Sequence, residues 1–596
     1  FDAAIRRHDR CAEARGVRMT PGARVVRDEG SAVRSAALRA LAAVPTARPA
    51  PIVYHSRGSV LVLGEAGRAL PAAESLAKAH KVVAVVTGLP QDHEHPRDML
   101  VAPGRVVRLS GHLGRFRATA EGPEGELDLS ALSPNPDGWF DLVVDLGSPP
   151  LINHEVLPLG YFAPGTDETG LGRVLREAPS WVGRRDKPKY LALDAKRCVH
   201  RRQGVTGCTR CIDACPAGAL APSDRAASFD AYLCQGCGGC AGVCPTGAIT
   251  YAAQPATEVR RRIRVALEAS VEAGGRDPCL LLHDEAVPEK SVEIRLQPST
   301  LPVAVRSIAS VGVDVWLYAL ALGAQRVELL PSPDGPSKRL RVLRAQQRLA
   351  QLLLWGVGAR PERISLIAEP SGEDTLAPRS STPLAGGASA VTAVAPEDPT
   401  GLLSCLEHLR REGRPVPQAE ITLPHGAPVG GVDLDTSRCT LCLACTRLCP
   451  TKALQGGERG TSLQFSEEAC VQCGLCQAGC PEQAIRLAPR WLTAFGARSA
   501  PASLIKTEAA ACSECGTPFL PLALLNAATA RVQGNSLLAG RLGGLLSMCP
   551  ACRAKAALAA QLPGRTEPSS RTAERGDEVT GRFDVGENKW PIVPNA

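Results

Sequence analysis

The sequence predicts a multidomain protein of α/β plus α+β class, with two small parallel α/β units, two cysteine-rich modules and a C-terminal four-cysteine element. Its 596 residues are enough for about three to five domains. Short apolar runs alternate with helical patterns in two regions, which is typical of parallel sheets. Nearly all of the 23 cysteines fall into two tight blocks and one C-terminal pair of pairs.

The first α/β unit is predicted over residues 55–165 and is expected to be Rossmann-like, after a helical segment at residues 1–54. Val60–Leu63 and Val82–Thr87 are predicted strands. The turn at Gly64–Gly67 lacks the glycine spacing of a dinucleotide site, and no acidic residue ends the second strand. We therefore expect a structural turn, with a nucleotide or flavin site as the alternative.

The second α/β unit is predicted over residues 275–370. Its strands are predicted at Cys279–His283, Val303–Arg306, Val327–Leu330 and Ile364–Ile367. Residues 371–430 are rich in Pro, Gly, Ser and Thr and are predicted to be a linker with one short helix near Leu402–Arg411. The polar tail at residues 563–596 is predicted to be disordered.

The more regular cysteine block lies in residues 431–492. Two runs have two, two and three residues between successive cysteines, and proline follows each run. Three cysteines at this spacing can surround three corners of a cubane, and the fourth ligates the other cluster in two-cluster ferredoxins. The predicted ligand sets for two 4Fe–4S clusters are Cys439, Cys442, Cys445 and Cys480, and Cys470, Cys473, Cys476 and Cys449.

The other cysteine block lies in residues 186–255 and departs from this plan once. Nine residues, Val199–Gly207, separate Cys198 from Cys208. The predicted 4Fe–4S ligand sets are Cys198, Cys208, Cys211 and Cys244, and Cys234, Cys237, Cys240 and Cys215. A longer loop costs more entropy to order, so the cluster on Cys198 is expected to be the least stable. A three-iron cluster, or His200 as a substitute ligand, remains an alternative there.

Each cysteine run ends in the same repeat: cysteine, proline, small or polar residues and then an aliphatic residue. The four copies are Cys215–Leu220, Cys244–Ile249, Cys449–Leu454 and Cys480–Ile485. With these runs, both blocks resemble the bacterial two-cluster ferredoxin family, which implies two ferredoxin-like modules with two clusters each. Zinc and disulfides fit these blocks poorly, because zinc sites use pairs of cysteines rather than runs of three followed by Cys-Pro.

The C-terminal element is predicted over residues 500–562. Two Cys-x-x-Cys pairs with 33 residues between them predict a zinc-ribbon-like tetrahedral site, and a fifth iron centre is the alternative. The predicted zinc ligands are Cys512, Cys515, Cys549 and Cys552. The isolated Cys11, Cys279 and Cys405 are predicted to be small apolar core residues.

Two further resemblances suggest a role. Val303–Arg306, Ile308–Val313 and Ala319–Arg326 resemble the delta-subunit domain found with methyl-viologen-reducing hydrogenase and heterodisulfide reductase, without the cysteines of that domain's own two-iron cluster. The whole domain order resembles the multidomain polyferredoxins that accompany molybdenum-dependent formate dehydrogenases in proteobacteria. This resemblance implies a non-catalytic electron-transfer subunit or partner of such an oxidoreductase. A maturation or redox-sensing iron–sulfur protein, and a flavin-dependent oxidoreductase subunit, are the alternatives.

Composition narrows the function further. The net charge is +8, but the basic residues are scattered and no basic stripe alternates with aromatics, so nucleic-acid binding is not expected. No stretch reaches the roughly 18 apolar residues of a membrane span. No nucleophile–base pair or paired carboxylate set stands out, so no catalytic residue is predicted. The short cysteine spacing indicates a reducing compartment, which we expect to be the cytoplasm, and a redox protein as partner.

Overall fold

The structure is a computed structural model that describes residues 29–89, 99–123, 125–367, 401–534 and 544–561. These residues belong to two compact units, one that ends at Thr507 and one that begins at Glu508. The predictions for residues 1–28, 371–400 and 563–596, and for Cys11, lie outside the described residues. Within the described ranges, no helix is long and apolar enough to cross a membrane.

A five-stranded parallel sheet forms the centre of the first α/β region. Its strands, in spatial order, are Met99–Pro103, Lys81–Thr87, Ser59–Glu65, Leu142–Asp145 and Tyr161–Phe162. Helix Ala66–Ala77 begins directly after the central strand. A Cβ atom on Gly64 would lie 3.0 Å from Leu146 Cβ, so close packing explains the glycine at this turn.

One face of this sheet packs on the helices Ala66–Ala77 and Glu168–Glu177. The other face packs on an antiparallel sheet that the sequence analysis did not predict, with strands Arg105–Ser110, Arg117–Gly122 and Gly125–Asp128. A strand at Pro51–Ser56 pairs with Gly183–Pro188. The prediction of a helical segment over residues 1–54 is therefore wrong from Pro51 onward, because the chain there forms a strand that pairs with a later part of the sequence.

The second α/β region contains a four-stranded parallel sheet. Its strands, in spatial order, are Thr300–Val305, Cys279–Asp284, Arg326–Leu330 and Ile364–Leu366, close to the four predicted strands. The helices around it are Ala256–Glu272, Glu289–Glu293, Val313–Ala321 and Ser337–Gly356. Cys279 is buried in a central strand.

Distant segments complete the core of this second region. Helix Glu29–Ala42 packs on helix Ala256–Glu272, and helix Gly401–Glu412 packs on helix Val313–Ala321. The strand Glu420–Thr422 pairs with Arg490–Leu492. The prediction of a linker over 371–430 is therefore wrong for its second half, because the apolar side chains of that half, Cys405 among them, are buried in this core.

The two cysteine-rich modules share one plan of short antiparallel pairs. In the first, Leu191–Leu193 pairs with Ile249–Tyr251, Leu220–Ala221 with Ser228–Phe229, and Arg201–Arg202 with Val205–Thr206. In the second, Gly431–Leu434 pairs with Ile485–Ala488, and Leu454–Gly456 with Ser462–Phe465. The short helices are Arg210–Asp213, Gly239–Gly242, Ala444–Leu448, Leu475–Ala478 and Phe495–Ser499.

The second module includes one strand that was expected in the C-terminal element. Ala502–Lys506 adds to the strand Ser462–Phe465, because Leu504 and Ile505 pack on the core of this module. The C-terminal unit therefore begins after residue 507 rather than at 500. Its described elements are the strand pair Ala509–Ala511 and Pro518–Pro521 and the helices Leu522–Gln533 and Pro550–Gln561.

Candidate metal centres

In the second cysteine-rich module, each predicted quartet lines a cavity of its own. The first cavity is lined by Cys439, Cys442, Cys445 and Cys480, and the second by Cys470, Cys473, Cys476 and Cys449. Three cysteines of each quartet come from one run, and the fourth comes from the other run. The chain therefore crosses over between the two centres.

In the first module the thiols group in the same way. Burial, and then the nearby thiols of its quartet, raise the pKa of Cys211 to about 12. The pKa of Cys234 is also raised to about 12, again by burial first and then by thiols of its own quartet. The neighbours are Cys208, Cys244 and Cys198 for Cys211, and Cys237 and Cys215 for Cys234. The structure thus brings together all four predicted quartets.

The loops that carry these cysteines repeat one backbone conformation. The third residue after each Cys-Pro cysteine is left-handed, with φ of 62°, 61°, 57° and 49° at Gly218, Gly247, Lys452 and Gln483. Non-glycine residues adopt this region at a cost, and Lys452 and Gln483 do so here. The conformation is therefore set by the loop rather than by glycine.

Backbone amides point at the sulfur atoms. In six cases the N–H group two residues after a cysteine donates to its Sγ. These cysteines are Cys208, Cys234, Cys237, Cys439, Cys470 and Cys473. Such hydrogen bonds favour the thiolate form and help to set the reduction potential of a bound iron–sulfur cluster.

The surroundings of the thiols fit iron–sulfur clusters. Burial raises the pKa of Cys445 to about 12 and that of Cys470 to about 11. A thiolate in such surroundings needs a cationic partner, and a coordinating metal deprotonates a thiol outright. Iron in a cluster supplies that partner, and these quartets are the residues that would hold it.

The nine-residue segment between Cys198 and Cys208 contains a β-hairpin. Arg201–Arg202 pairs with Val205–Thr206 around Gln203 and Gly204, which have φ of 49° and 80°. Two residues with positive φ are typical of the type I′ turn, whose twist matches paired strands. The Cys208 amide donates to the carbonyl of Val199, at 3.3 Å, so the hairpin keeps the two ends of the insertion together.

His200, the alternative ligand, is buried beside this hairpin. Its Nδ1 lies 3.0 Å from the carbonyl oxygen of Cys208. That contact occupies one ring nitrogen and leaves Nε2 as the atom that could bind iron. Cys198 itself is half-buried, as are Cys208 and Cys244, whereas Cys211 is buried.

The C-terminal quartet brings its four sulfur atoms close together. The Sγ atoms of Cys512, Cys515, Cys549 and Cys552 all lie within 4.8 Å of one another. The Sγ atoms of Cys515 and Cys549 are 3.8 Å apart, the spacing expected around one tetrahedral ion with bonds of about 2.3 Å. The Cys549 amide donates to Cys512 Sγ and is the main reason that the pKa of Cys512 is lowered to about 6. The quartet is therefore shaped for a single metal ion.

Comparison with known families agrees with this geometry. Residues 432–489 and residues 206–249 each match a 4Fe-4S dicluster domain family. This chain is a ferredoxin-like iron–sulfur protein. The match in the first ferredoxin-like module begins at residue 206, so Cys198 and most of the hairpin lie before it. No curated protein matches the chain.

Sequence reasoning missed the residues that connect the first ferredoxin-like module to the α/β regions. Ser307 Oγ donates to the carbonyl of Cys237 at 2.7 Å, and Lys338 Nζ donates to that of Cys215 at 3.1 Å. Lys187 Nζ donates to the carbonyl of Cys234 at 2.8 Å. Single polar residues of this kind carry no spacing signal, because only the tertiary fold brings them to the ligand loops.

Proposed function

We propose that this ferredoxin-like protein carries four 4Fe–4S clusters, two in each module, and relays electrons between redox proteins. The observation that carries the proposal is the set of four cysteine quartets, each built from three cysteines of one run and one of the other. A bound cluster supplies reversible one-electron chemistry. The chain's residues hold the iron, exclude water and direct amide hydrogen bonds at sulfur.

The partner we propose is a formate dehydrogenase-like oxidoreductase in the cytoplasm. The support is the order of domains, which resembles the polyferredoxins that accompany such enzymes. The two α/β regions would then serve in docking and in covering the clusters rather than in catalysis. This is consistent with the hydrogen bonds that Ser307 and Lys338 donate to cysteine carbonyls.

We also propose that the C-terminal quartet binds one structural zinc ion. The support is the close approach of its four Sγ atoms, which suits a single tetrahedral ion. Zinc has a filled d shell and would not take part in electron transfer.

The test is anaerobic purification followed by analysis of iron, acid-labile sulfide and zinc. We expect about 16 iron and 16 sulfide per chain, from four cubanes, and about one zinc. Iron and sulfide near eight of each would contradict the assignment of four clusters. The partner is tested separately by reducing the clusters with formate and a catalytic amount of formate dehydrogenase. If the clusters bleach only with a chemical reductant, the protein is an electron carrier with a different partner.

A further inference from the structure

We infer that the hairpin inserted between Cys198 and Cys208 joins the two ferredoxin-like modules into one electron path, with Cys208 and Cys473 at the junction. The inference rests on the proposed function, because it concerns the route between the proposed clusters. It adds a fixed order of the four centres and assigns a role to the insertion. Each transfer along the path moves one electron from a reduced centre to an oxidised neighbour and changes no covalent bond.

The junction has an apolar core shared by both modules. Val199 and Val205 from the insertion pack with Leu448 and Leu475 from the second module, and Cys208 and Cys473 lie against this cluster. A Cβ atom on Gly207 would lie 2.7 Å from Leu475 Cγ and 2.9 Å from the carbonyl oxygen of Cys473. The insertion therefore contacts the loop that carries ligands of the second module.

One arginine of the first module fixes the same loop by hydrogen bonds. Arg210 Nη2 donates to the carbonyls of Gln472, at 2.8 Å, and Ala427, at 3.1 Å. Its Nη1 lies 3.4 Å from the carbonyl of Val471. Arg210 stands between two ligands of its own module, Cys208 and Cys211. Its side chain thus connects a ligand loop of one module to a ligand loop of the other.

The order of the centres follows from which cysteine-carrying segments are neighbours across quartets. Within the first module the helix that carries Cys211 packs on the helix that carries Cys240, and within the second the helix that carries Cys445 packs on the helix that carries Cys476. Between the modules, Cys208 and Cys473 lie against the same apolar cluster, and Gly207, the neighbour of Cys208, approaches the carbonyl oxygen of Cys473. The order along the path is the quartet of Cys240, that of Cys208, that of Cys473 and that of Cys442.

The two ends of this path differ in exposure. Cys442 at one end is exposed. At the other end Cys234 and Cys240 are buried, and the α/β regions donate hydrogen bonds to the carbonyls of their quartet. Electrons that enter at Cys442 reach the buried end through the junction.

The test compares Val205→Asp with Thr206→Asp in the full chain. Val205 Cγ2 would lie 3.4 Å from a Cβ on Gly479 of the second module, whereas Thr206 is exposed on the other face of the same hairpin strand. After anaerobic purification, iron content is measured first. EPR power saturation of the reduced protein then reports the magnetic proximity of the clusters, and stopped-flow bleaching by a reduced ferredoxin reports electron distribution.

We expect Val205→Asp to keep its iron, to lower the microwave power of half-saturation several-fold and to make the bleaching biphasic. Thr206→Asp should behave as the unmodified chain does. If both variants keep their iron and match the unmodified chain, the inference is overturned and the proposed function stands. An unmodified chain with only one module's iron would instead overturn the proposed function.

A second pair of variants covers the case in which Val205→Asp loses iron. Arg210→Met removes the side-chain contacts with the carbonyls of Val471 and Gln472 in the second module, together with the one to Ala427, and leaves the backbone amide that donates to Cys208 Sγ. The matched control is Arg201→Met, whose side chain pairs with the exposed Asp224. Slower spin relaxation of the clusters and biphasic bleaching in Arg210→Met, but not in Arg201→Met, support the inferred junction between the modules. Equal behaviour of the two variants overturns that inference.

Discussion

Two lysine side chains donate hydrogen bonds to backbone carbonyls of one cysteine quartet. Lys187 contacts Cys234, and Lys338 contacts Cys215. Burial lowers the pKa of Lys187 to about 8, so its ammonium group is still charged at neutral pH. Positive charge near a cluster stabilises the reduced form, which is more negative than the oxidised form.

We expect Lys187→Met to lower the reduction potential of the cluster on this quartet by tens of millivolts, because it removes one half-buried positive charge. The measurement is a redox titration followed by EPR at pH 7. Lys189→Met is the matched control, since Lys189 is two residues away and exposed. Lys187→Arg should keep the original potential, and a shift as large in this variant as in Lys187→Met would show that the charge is not the cause.

Two glycines of one short helix, Gly239–Gly242, give a second test at this scale. A Cβ atom on Gly242 would clash with the carbonyl oxygen of Ala309 in the second α/β region, whereas one on Gly239 would come no closer than 3.8 Å to Val342. Gly242→Ala should therefore destabilise the protein by about 1–3 kcal/mol. Gly239→Ala should be almost neutral. Thermal unfolding of the anaerobic, iron-loaded protein measures both, and equal midpoints would contradict the close packing.

Among the elements, the hairpin at residues 201–206 changes how the irregular cysteine run is understood. The length of the segment between Cys198 and Cys208 predicts a loop that costs much entropy to order. A two-residue turn and a pair of short strands nevertheless order this segment locally. The prediction that the Cys198 centre is the least stable then depends on this turn. Because each hairpin strand has only two residues, the turn conformation of Gly204 contributes much of the stability of the hairpin.

Gly204→Val should make the Cys198 centre lose iron earlier in a mild oxidation than it does in the unmodified chain. Its φ of 80° is unfavourable for a β-branched residue, and a left-handed residue costs about 1–2 kcal/mol. The readout is the three-iron EPR signal during titrated oxidation. Gly204→Asn is the control, because Asn tolerates this conformation, and both side chains enter open space. Identical signals from the two variants would show that the turn does not protect the centre.

The elements also show what sequence reasoning can reach. The strand around Leu280–Leu282 was predicted because buried parallel strands are continuous apolar runs. The strand Gly125–Asp128 was missed because all four of its residues are exposed and give no apolar signal. The cysteine quartets follow from local spacing, whereas the contacts of Lys187 and Lys338 depend on the tertiary fold. For the same reason the packing of helix Gly401–Glu412 into a distant core could not be predicted.

At the scale of the whole molecule, the described chain forms two compact units that differ in the size of their apolar cores. The unit up to Thr507 has extensive apolar cores, and the unit from Glu508 has a helix, Leu522–Gln533, with no buried residue. A small unit with so little core needs another source of stability, and structural zinc supplies folding free energy directly. The zinc ion proposed for the C-terminal quartet would provide it.

Cys515→Ser should therefore release zinc and unfold the C-terminal unit while iron content and cluster reduction stay unchanged. Metal analysis, reductive titration and limited proteolysis of residues 508–561 measure the three effects. Cys405→Ser is a useful comparison, because Cys405 lies in the apolar core of the other unit and should not affect zinc. Loss of about four iron atoms from Cys515→Ser, with zinc unchanged, would indicate a fifth cubane at this site instead.

The core of the second α/β region has a consequence for the timing of assembly during synthesis. This core contains residues that are far apart in the sequence: Val33 near the beginning of the described chain, Leu406, and Trp491, which is the last of them in the sequence. Domains are made from the N-terminus onward, so this core is complete only after the cysteines of both modules have left the ribosome. The region that contacts the loop around Cys240 therefore closes late. The loop around Cys240, whose Gly242 lies against Ala309 of this region, is thus covered only at a late stage of synthesis.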